Sequence, residues 1–266
     1  MKTSMKSLVI SSFFIISLFV SSSCQKDDMN AENVRYASVL SVSEDGTTSV
    51  IEANLKSALI ETSDLTESEL ASLLKMKVEE KFARDVYAVL AQKWGSQIFS
   101  NIAKAENNHL NAIILLLTKY GSTEPSMDEA GIFADATIQK LYNDLVAKAS
   151  ISIEEAYKTG ALIEEMDIKD LTVALSGTTN ENIALVFENL LKGSRNHLRA
   201  FNLKLINLGL TYIPIFISQD EYTQIATSAM EKGKQYRMND QGNGQGNGKG
   251  KAGKGRGSKG NGTCNI

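Results

Sequence analysis

The sequence predicts an all-α fold, in which four long helices form a bundle of two antiparallel hairpins joined by one long crossover. Apolar residues recur at alternating spacings of three and four through much of residues 65–233, which is the period of an amphipathic helix. The 266-residue chain has only two prolines and is 42% hydrophobic, so it can form long helices around a sizeable core. Glycines and helix-capping residues divide the region into separate helices.

The first predicted hairpin begins at a helix start signal. Residues 66–69 (Thr-Glu-Ser-Glu) form a capping-box pattern, in which the first and last side chains satisfy free N–H groups at a helix N-terminus. This pattern predicts a helix that runs to Trp94 and ends at Gly95, followed by a second helix over 98–120. Because the connection is so short, the two helices should be antiparallel neighbours.

The second predicted hairpin follows a looser stretch. Residues 121–150 contain one modest helical segment at 136–149 and are long enough to carry the chain from one end of a bundle to the other. A second capping box predicts a helix over 152–175, and the turn at 177–180 leads into a predicted helix over 181–208. Residues 218–221 cap a short predicted accessory helix over 218–230. Two hairpins joined by one long crossover are typical of a ferritin-like four-helix bundle.

The N-terminal residues are typical of a bacterial lipoprotein signal. Two lysines precede an apolar run over 8–20, and small residues then lead to Cys24, although Ser21 stands where a larger aliphatic residue is usual. We therefore expect residues 1–23 to be removed and Cys24 to be lipidated. The protein would then be an outer membrane lipoprotein that faces the periplasm or the cell surface. The alternative is a plain secretory signal with Cys24 removed or free.

Low-periodicity segments flank the predicted domain. Residues 24–64 indicate a tether, with a short strand or helix near 48–59. Residues 234–266 are rich in Gly, Asn and Lys and predict a disordered basic tail. This tail could contact polyanions or act as a solvated spacer; from residue 241 onward it has no aromatic residue for stacking, so no specific nucleic-acid recognition is expected. Cys264 is a lone thiol in the tail, so neither a disulfide framework nor a cysteine-based zinc site is expected.

Acidic and histidine side chains interrupt the apolar faces of the four long helices. They lie in rows of residues that should face the core, where an uncompensated charge is costly. The chain has only two histidines, and each lies on the second helix of a predicted hairpin. At about 1.5 Å per residue, the interrupting groups fall at a similar height in the bundle. They are Glu80, Glu106, His109, Glu164 and His197.

This polar layer has the arrangement of a carboxylate-bridged metal site. Glu106 and His109 are three residues apart, so both can bind one ion from the same helix face. The alternative is that Glu80 is a buried acid paired with Arg195 or Arg199, while the histidines are core residues with satisfied hydrogen bonds.

Several motifs extend the argument by resemblance to known families. Residues 80–87 (Glu-Lys-Phe-Ala-Arg-Asp-Val-Tyr) resemble the Glu-x-x-Ala-Arg-x-x-Tyr motif of rubrerythrins, and the Glu106-x-x-His109 pair resembles their ligand pair on the second helix. A fuller pattern, covering about residues 60–230, is similar to a bacterial ferritin-like domain family of unknown function; it adds residues 94–95, 99–103, 163–168 and 193–201. The resemblance implies a ferritin-like bundle with Glu80, Glu106, His109, Glu164 and His197 as ligands of iron or manganese.

One position departs from the rubrerythrin pattern. A second Glu-x-x-His pair would place a carboxylate at residue 194, where this chain has Ser194. A bridging carboxylate is therefore missing unless Glu165 or Asp167 supplies it. Glu165, Asp167 and Ser194 are secondary candidates for metal ligands. Because the ligands are richer on the first hairpin, we expect two unequal metal positions, or only one.

Two functional classes remain open. The first is a protein that binds one or two iron or manganese ions, with peroxide-reducing or ferroxidase-type oxidoreductase activity. The second is a non-catalytic envelope module with a structural polar layer and no metal. The chain lacks rubredoxin-like cysteine pairs, which argues against full rubrerythrin chemistry. A homodimer and a polyanion contact through the tail are further interactions that the sequence leaves open.

Overall fold

A computed structural model describes residues 36–42, 48–122, 129–232 and 235–237. The predicted signal peptide, Cys24 and most of the predicted tail, with Cys264, lie outside these ranges. Within them the chain is predominantly helical, which confirms the predicted class. The helices are α1 (Glu52–Ala58), α2 (Glu67–Trp94), α3 (Gln97–Lys119), α4 (Ala136–Ala149), α5 (Ile153–Ser176), α6 (Glu181–Asn207) and α7 (Gln219–Thr227). The strands are β1 (Tyr36–Ser38), β2 (Leu40–Val42), β3 (Thr48–Val50) and β4 (Gln235–Arg237).

The helix ends follow the predicted capping chemistry. The Thr66 hydroxyl accepts the Glu69 N–H, and the Glu69 carboxylate accepts the Thr66 N–H in return, which completes the capping box of α2. Gly95 ends α2 with a φ of 61°, a conformation that a residue without a Cβ adopts at little cost. The Asn180 side chain caps α6 by accepting the N–H groups of Asn182 and Ile183.

The four longest helices pack in pairs. A two-residue connection joins α2 to α3, so these helices are antiparallel neighbours, and a four-residue turn joins α5 to α6. The pairs meet where α2 contacts α5 and α3 contacts α6. Helix α4 packs against α2 and α5, and α7 packs against α6.

Two hydrophobic clusters fill the space between the helices. One contains Phe99 and Phe201, and the other contains Ile113 and Phe187. Along α3 and α6 the chain passes from one cluster to the other through a stretch of buried polar residues. The predicted polar layer therefore lies between two apolar regions, where solvent does not reach it.

The crossover is fixed to α2 at Asp85, which also forms a buried ion pair with Lys81 of the same helix. Lys81 is fully buried, and its Nζ lies 2.5 Å from Asp85 Oδ2. The same carboxylate oxygen accepts the Gly131 N–H at 2.9 Å, and Lys81 lies over the Phe133 ring. This contact holds the chain that leads into α4 close to the middle of α2.

A short N-terminal segment packs on the helices, and we call residues 39–42 and 48–60 the N-terminal cap. Strands β2 and β3 pair antiparallel, with Leu40 opposite Val50, and α1 follows directly. The sequence predicted a strand or helix near 48–59, and both are present. It did not predict that Val39, Leu40 and Leu55 contribute to the core, where each is at most 2% exposed.

The remaining strands form a second pair. Strand β1 pairs antiparallel with β4, with Tyr36 opposite Arg237. In the described portion of the chain, no helix is both long enough and apolar enough to cross a bilayer.

Candidate metal centre

The five predicted ligand residues meet in the polar layer. They form two groups that could each hold a metal ion, and in each group the ligand atoms lie within 4.8 Å of one another. Four helices contribute to them, and no member is more than 1% exposed. The first group is Glu80, Glu106 and His109, and the second is Glu106, Glu164 and His197.

Glu106 connects the two groups. Its Oε2 lies 2.7 Å from His109 Nδ1, and its Oε1 lies 2.9 Å from His197 Nδ1. On the outer sides, Glu80 Oε2 is 3.4 Å from His109 Nδ1, and Glu164 Oε2 is 3.4 Å from His197 Nδ1. The two imidazole rings are stacked, with centroids 5.7 Å apart. Each half of the centre thus has one glutamate and one histidine, and Glu106 bridges the halves.

The atoms that face inward lie close to one another, but no contact that they make with the described residues has hydrogen-bond geometry. Among the described residues, none of the six atoms that converge in the two groups has a hydrogen-bond partner, although they approach one another closely. Leaving one buried polar atom unpaired costs about 1–3 kcal/mol, so a cluster of them needs another source of stabilisation. A cation at each convergence point would supply it. The atoms are Glu80 Oε2, both Glu106 oxygens, His109 Nδ1, Glu164 Oε2 and His197 Nδ1.

In the absence of a metal ion, burial and the neighbouring charges favour the protonated forms of most ligand groups in the cluster. Burial raises the pKa of Glu80 to about 8 and also raises that of Glu164. Burial alone would raise the pKa of Glu106, but the charges of His197 and His109 bring it below its usual range. Burial would lower both histidine pKa values, but the facing carboxylates raise that of His109 to about 10 and that of His197 to about 9. A metal ion would displace these protons.

Two further side chains hold the ligands from outside. The Tyr87 hydroxyl donates to Glu164 Oε1 at 2.6 Å, and it also lies 3.2 Å from the Gly160 carbonyl oxygen. Thr48 Oγ1 lies 2.9 Å from His197 Nε2 and 3.4 Å from His109 Nε2. The Nε2 side of each ring is thus occupied by Thr48, while the Nδ1 side faces the carboxylates. Outer partners of this kind fix the ring orientation of metal-binding histidines.

Two of the secondary candidates are engaged elsewhere. Glu165 Oε2 accepts the N–H groups of Ile215 and Phe216, both at 2.7 Å. The Ser194 hydroxyl donates to the Leu190 carbonyl oxygen on its own helix at 3.2 Å. The position of the missing carboxylate is therefore not filled from either residue.

Asp167 has a different environment. It is 4% exposed, and its Oδ2 has no hydrogen-bond partner among the described residues, but it belongs to neither ligand group. Burial, together with the charges of Glu80 and Glu164, raises its pKa well above the ordinary value. With Glu79 it lines a largely apolar cavity of about 90 Å³ between α2, α4 and α5.

The arginines proposed as partners of Glu80 bind another acid. Arg195 Nε donates to Glu231 at 2.6 Å, and Arg199 Nη2 donates to the same carboxylate at 2.8 Å. They fix the segment after α7 to the outside of α6. Neither arginine therefore pairs with Glu80, and the residue within ion-pair distance of its carboxyl group is His109.

Sequence reasoning assigned no role at the site to three residues that shape it. Tyr87 lies seven residues after Glu80 on the same helix face, and that spacing is a usable signal. A Cβ at Gly193 would lie 2.6 Å from His109 Cε1, so only glycine leaves room for this ring. Thr48 lies in a three-residue strand, and no periodicity or motif in the sequence marks it.

Comparison with known proteins places the chain in a family. Residues 69–229, more than half of the chain, match the family described as an uncharacterized protein domain, DUF2202. The uncharacterized protein MJ0754 of Methanocaldococcus jannaschii is 46% identical over 170 residues, which are 64% of this chain and 92% of that protein. The crystal structure of hypothetical protein MJ0754 from Methanococcus jannaschii aligns with a TM-score of 0.63 and 44% identity, over 65% of this chain and 99% of that one. The family match contains all five predicted ligands, and the chain belongs to the DUF2202 domain family.

Proposed function

We propose that this protein is a ferritin-like four-helix bundle that binds one or two iron or manganese ions in its core. The observation that carries the proposal is the convergence of six buried ligand atoms, from four helices, that have no hydrogen-bond partner among the described residues. Glu106 would bridge the two ions through its two oxygens. The first ion would also bind Glu80 and His109, and the second would also bind Glu164 and His197.

The donor chemistry supports this choice of metal. Each group combines two carboxylates with one imidazole. Carboxylates suit harder cations such as manganese, and imidazoles suit iron, so a mixed set without thiolates fits either of these ions. When bound, such an ion supplies Lewis acidity or a one-electron redox couple. The residues would hold the ions, exclude solvent and, through Tyr87 and Thr48, keep Glu164 and the imidazoles in a fixed orientation.

The charge balance indicates that an additional ligand would bind. The two groups together contain three carboxylates, which carry −3 against the +4 of two divalent ions. Three protein atoms per ion also leave coordination positions open. A small anionic or readily ionised molecule fits this position best. A peroxide is such a molecule, so the activity that we propose is reduction of a peroxide to water, with the two electrons supplied by an external reductant. The alternative is a ferroxidase-type oxidation, in which iron(II) would be the substrate and dioxygen or peroxide the electron acceptor.

The direct test is metal content. Protein purified without chelators should contain iron or manganese by elemental analysis, and the metal-free protein should bind iron(II) or manganese(II) again on titration. Zinc(II) serves as the comparison metal, and peroxide consumption by the loaded protein tests the activity. Should the protein stay fully helical but bind none of the three metals, the metal proposal is wrong.

A non-catalytic envelope module remains the second candidate function. The observation that favours it is the close approach of both histidines to Glu106, at 2.7 and 2.9 Å, because protonated histidines could neutralise the cluster without a metal. Metal analysis separates the two candidates, since this one predicts a metal-free protein with an intact polar layer.

We also propose, from the sequence alone, that Cys24 is lipidated and anchors the protein in the outer membrane. The wild-type protein should fractionate with membranes and incorporate a labelled fatty acid, and a Cys24→Ala variant should do neither. Equal labelling of both proteins would contradict the proposal.

A further inference from the structure

The N-terminal cap reaches the metal centre through a single side chain. Thr48 is 1% exposed, and its hydroxyl lies between the Nε2 atoms of His197 and His109, at 2.9 and 3.4 Å. It comes from β3, before the first residue of the family match at Glu69. This chain therefore places a residue from outside the matched domain against both histidines.

Packing around Thr48 keeps its hydroxyl in this position. The next residue, Ser49, accepts a hydrogen bond from Asn108 Nδ2 at 2.8 Å, which ties β3 to α3. On the other side, a Cβ at Gly193 would lie 3.2 Å from Thr48 Oγ1, a tight contact that glycine avoids. The buried cap residue Leu55 anchors α1 in the hydrophobic cluster between the helices. The cap is thus fixed to the helices that carry the two histidines.

The chemistry of a threonine hydroxyl matches what two metal-binding histidines require. When a neutral imidazole binds a metal through Nδ1, its remaining proton is on Nε2. A hydroxyl oxygen has two lone pairs, so it can accept one N–H from each ring. One threonine can therefore fix both rings with their Nδ1 lone pairs directed at the carboxylates.

We propose that Thr48 is a positioning residue for both metal-binding histidines, so that the N-terminal cap completes the metal centre. The inference rests on the proposed metal-binding function. It assigns a role at the site to a segment for which the sequence predicts a tether with a short strand or helix.

The first test compares metal affinity in three variants of the full chain. Thr48→Val keeps the side-chain shape but removes the hydroxyl, and Thr48→Ser keeps the hydroxyl. We expect Thr48→Val to weaken manganese(II) binding by about 10- to 100-fold, as is typical when an outer partner of a ligand is lost. Thr48→Ser should restore binding to within a few-fold of wild type. Ser57→Ala, on α1 of the same cap, is the control and should leave affinity unchanged, because the exposed Ser57 hydroxyl donates to the Ala53 carbonyl oxygen of its own helix.

Two spectroscopic readouts separate positioning from a loss of packing. The visible spectrum of the cobalt(II)-loaded protein reports ligand geometry, and it should change in Thr48→Val but not in Ser57→Ala. Because the chain has only two histidines, nitrogen-15 labelling of histidine gives two ring spin systems. In the metal-free protein, Thr48→Val should shift the Nε2–H signals of both rings, with the larger shift for His197, and Thr48→Ser should restore them.

The outcomes distinguish this inference from the function on which it rests. If wild type and Thr48→Val bind metal equally and have the same cobalt spectrum, Thr48 has no positioning role, while the metal-binding function stands. If wild type binds no metal, the proposed function fails and the positioning role fails with it. The nitrogen-15 shifts would then report only a structural hydrogen bond.

Discussion

The hairpin of α2 and α3 brings two carboxylates and a histidine to the centre, whereas the hairpin of α5 and α6 brings one carboxylate and a histidine. Glu80 and Glu164 occupy equivalent outer positions, each 3.4 Å from the histidine of its own hairpin. The difference is confined to the middle, where Glu106 has no acidic counterpart. One bridging carboxylate serves both groups because each of its oxygens faces a different histidine.

The space opposite the bridge is used in another way. Ser194 lies on α6 where a second bridging carboxylate would be, and its hydroxyl donates to the Leu190 carbonyl oxygen of its own helix. Gly193 precedes it. The absent Cβ of Gly193 makes room for His109 and for Thr48. Because these two α6 residues are small, the centre lacks a second bridging carboxylate. In its place, His109 packs closely against α6 and Thr48 of the N-terminal cap reaches the histidines.

Removal of the bridge should have the largest effect. Glu106→Gln keeps the side-chain size but removes the charge that both groups share, so we expect loss of both ions. Glu80→Gln and Glu164→Gln should each weaken the binding of mainly one ion, because each residue belongs to one group. Elemental analysis and manganese(II) titration of the three variants measure this. Retention of one full equivalent by Glu106→Gln would show that the groups do not share the bridge.

The Gly193 position tests how the space opposite the bridge is used. A Cβ there would lie 2.6 Å from His109 Cε1, so Gly193→Ala should displace this ring. The affinity for the ion in the group of Glu80 and His109 should then fall. Overpacking of this kind costs about 1–3 kcal/mol, more than the roughly 1 kcal/mol that alanine gains over glycine in a helix. Metal titration and thermal unfolding measure the two effects.

Gly177→Ala is the matched control for that substitution. Its Cβ would meet only ordinary contacts, with the nearest atom, the Ala174 carbonyl oxygen, at 3.7 Å. It should therefore leave metal binding and stability close to wild type. Equal metal affinity in Gly193→Ala and Gly177→Ala would mean that the ring of His109 has more room than the distances indicate.

The sequence predicted which acidic and histidine side chains converge in the core because helical periodicity reports which face of a helix is buried. Glu80, Glu106 and His197 interrupt apolar rows, and such interruptions are visible without any knowledge of neighbouring helices. The shared use of Glu106 was not predictable in this way. It depends on how close α3 lies to α6, which is set by packing between hairpins and not by the pattern within either helix.

Two other features show the same limit. Glu165 is adjacent to Glu164 in sequence, but it binds the backbone at Ile215 and Phe216, an irregular segment whose path no local pattern indicates. Thr48 reaches the histidines from a strand of three residues, which is too short to produce a periodic signal. The helices and the polar side chains that they bring together were therefore predictable, whereas the contacts contributed by irregular segments were not.

The protonation of the cluster predicts a pH dependence that differs between the metal-free and metal-loaded forms. Burial raises the pKa of Glu80 to about 8, and the facing carboxylates raise those of His109 and His197 to about 10 and about 9. All three groups bind protons more tightly in the folded than in the unfolded state. Their contribution to stability is therefore present at low pH and is lost as the pH rises through these values.

We expect the unfolding temperature of the metal-free protein to fall by several degrees between about pH 6 and pH 9. Bound manganese should reduce this fall, because the metal replaces the protons. Thermal unfolding with and without a chelator across this range measures both trends. A metal-free protein that is equally stable at both ends of the range would contradict the assignment of protons to the cluster.

The smallest effect should come from Ser194, the residue at which the two hairpins differ most in sequence. Its hydroxyl donates to the Leu190 carbonyl oxygen, which already has its place in the helix, so Ser194→Ala removes a hydrogen bond but no ligand. We expect metal affinity to change less than about twofold. Loss of a residue that holds a ligand typically lowers metal affinity about 10- to 100-fold, and Ser194 holds no ligand. Manganese(II) titration of this variant beside Glu164→Gln measures the difference. A loss for Ser194→Ala as large as that for Glu164→Gln would mean that the hydroxyl turns toward the ion when metal binds, and that the two hairpins are more alike than their residues suggest.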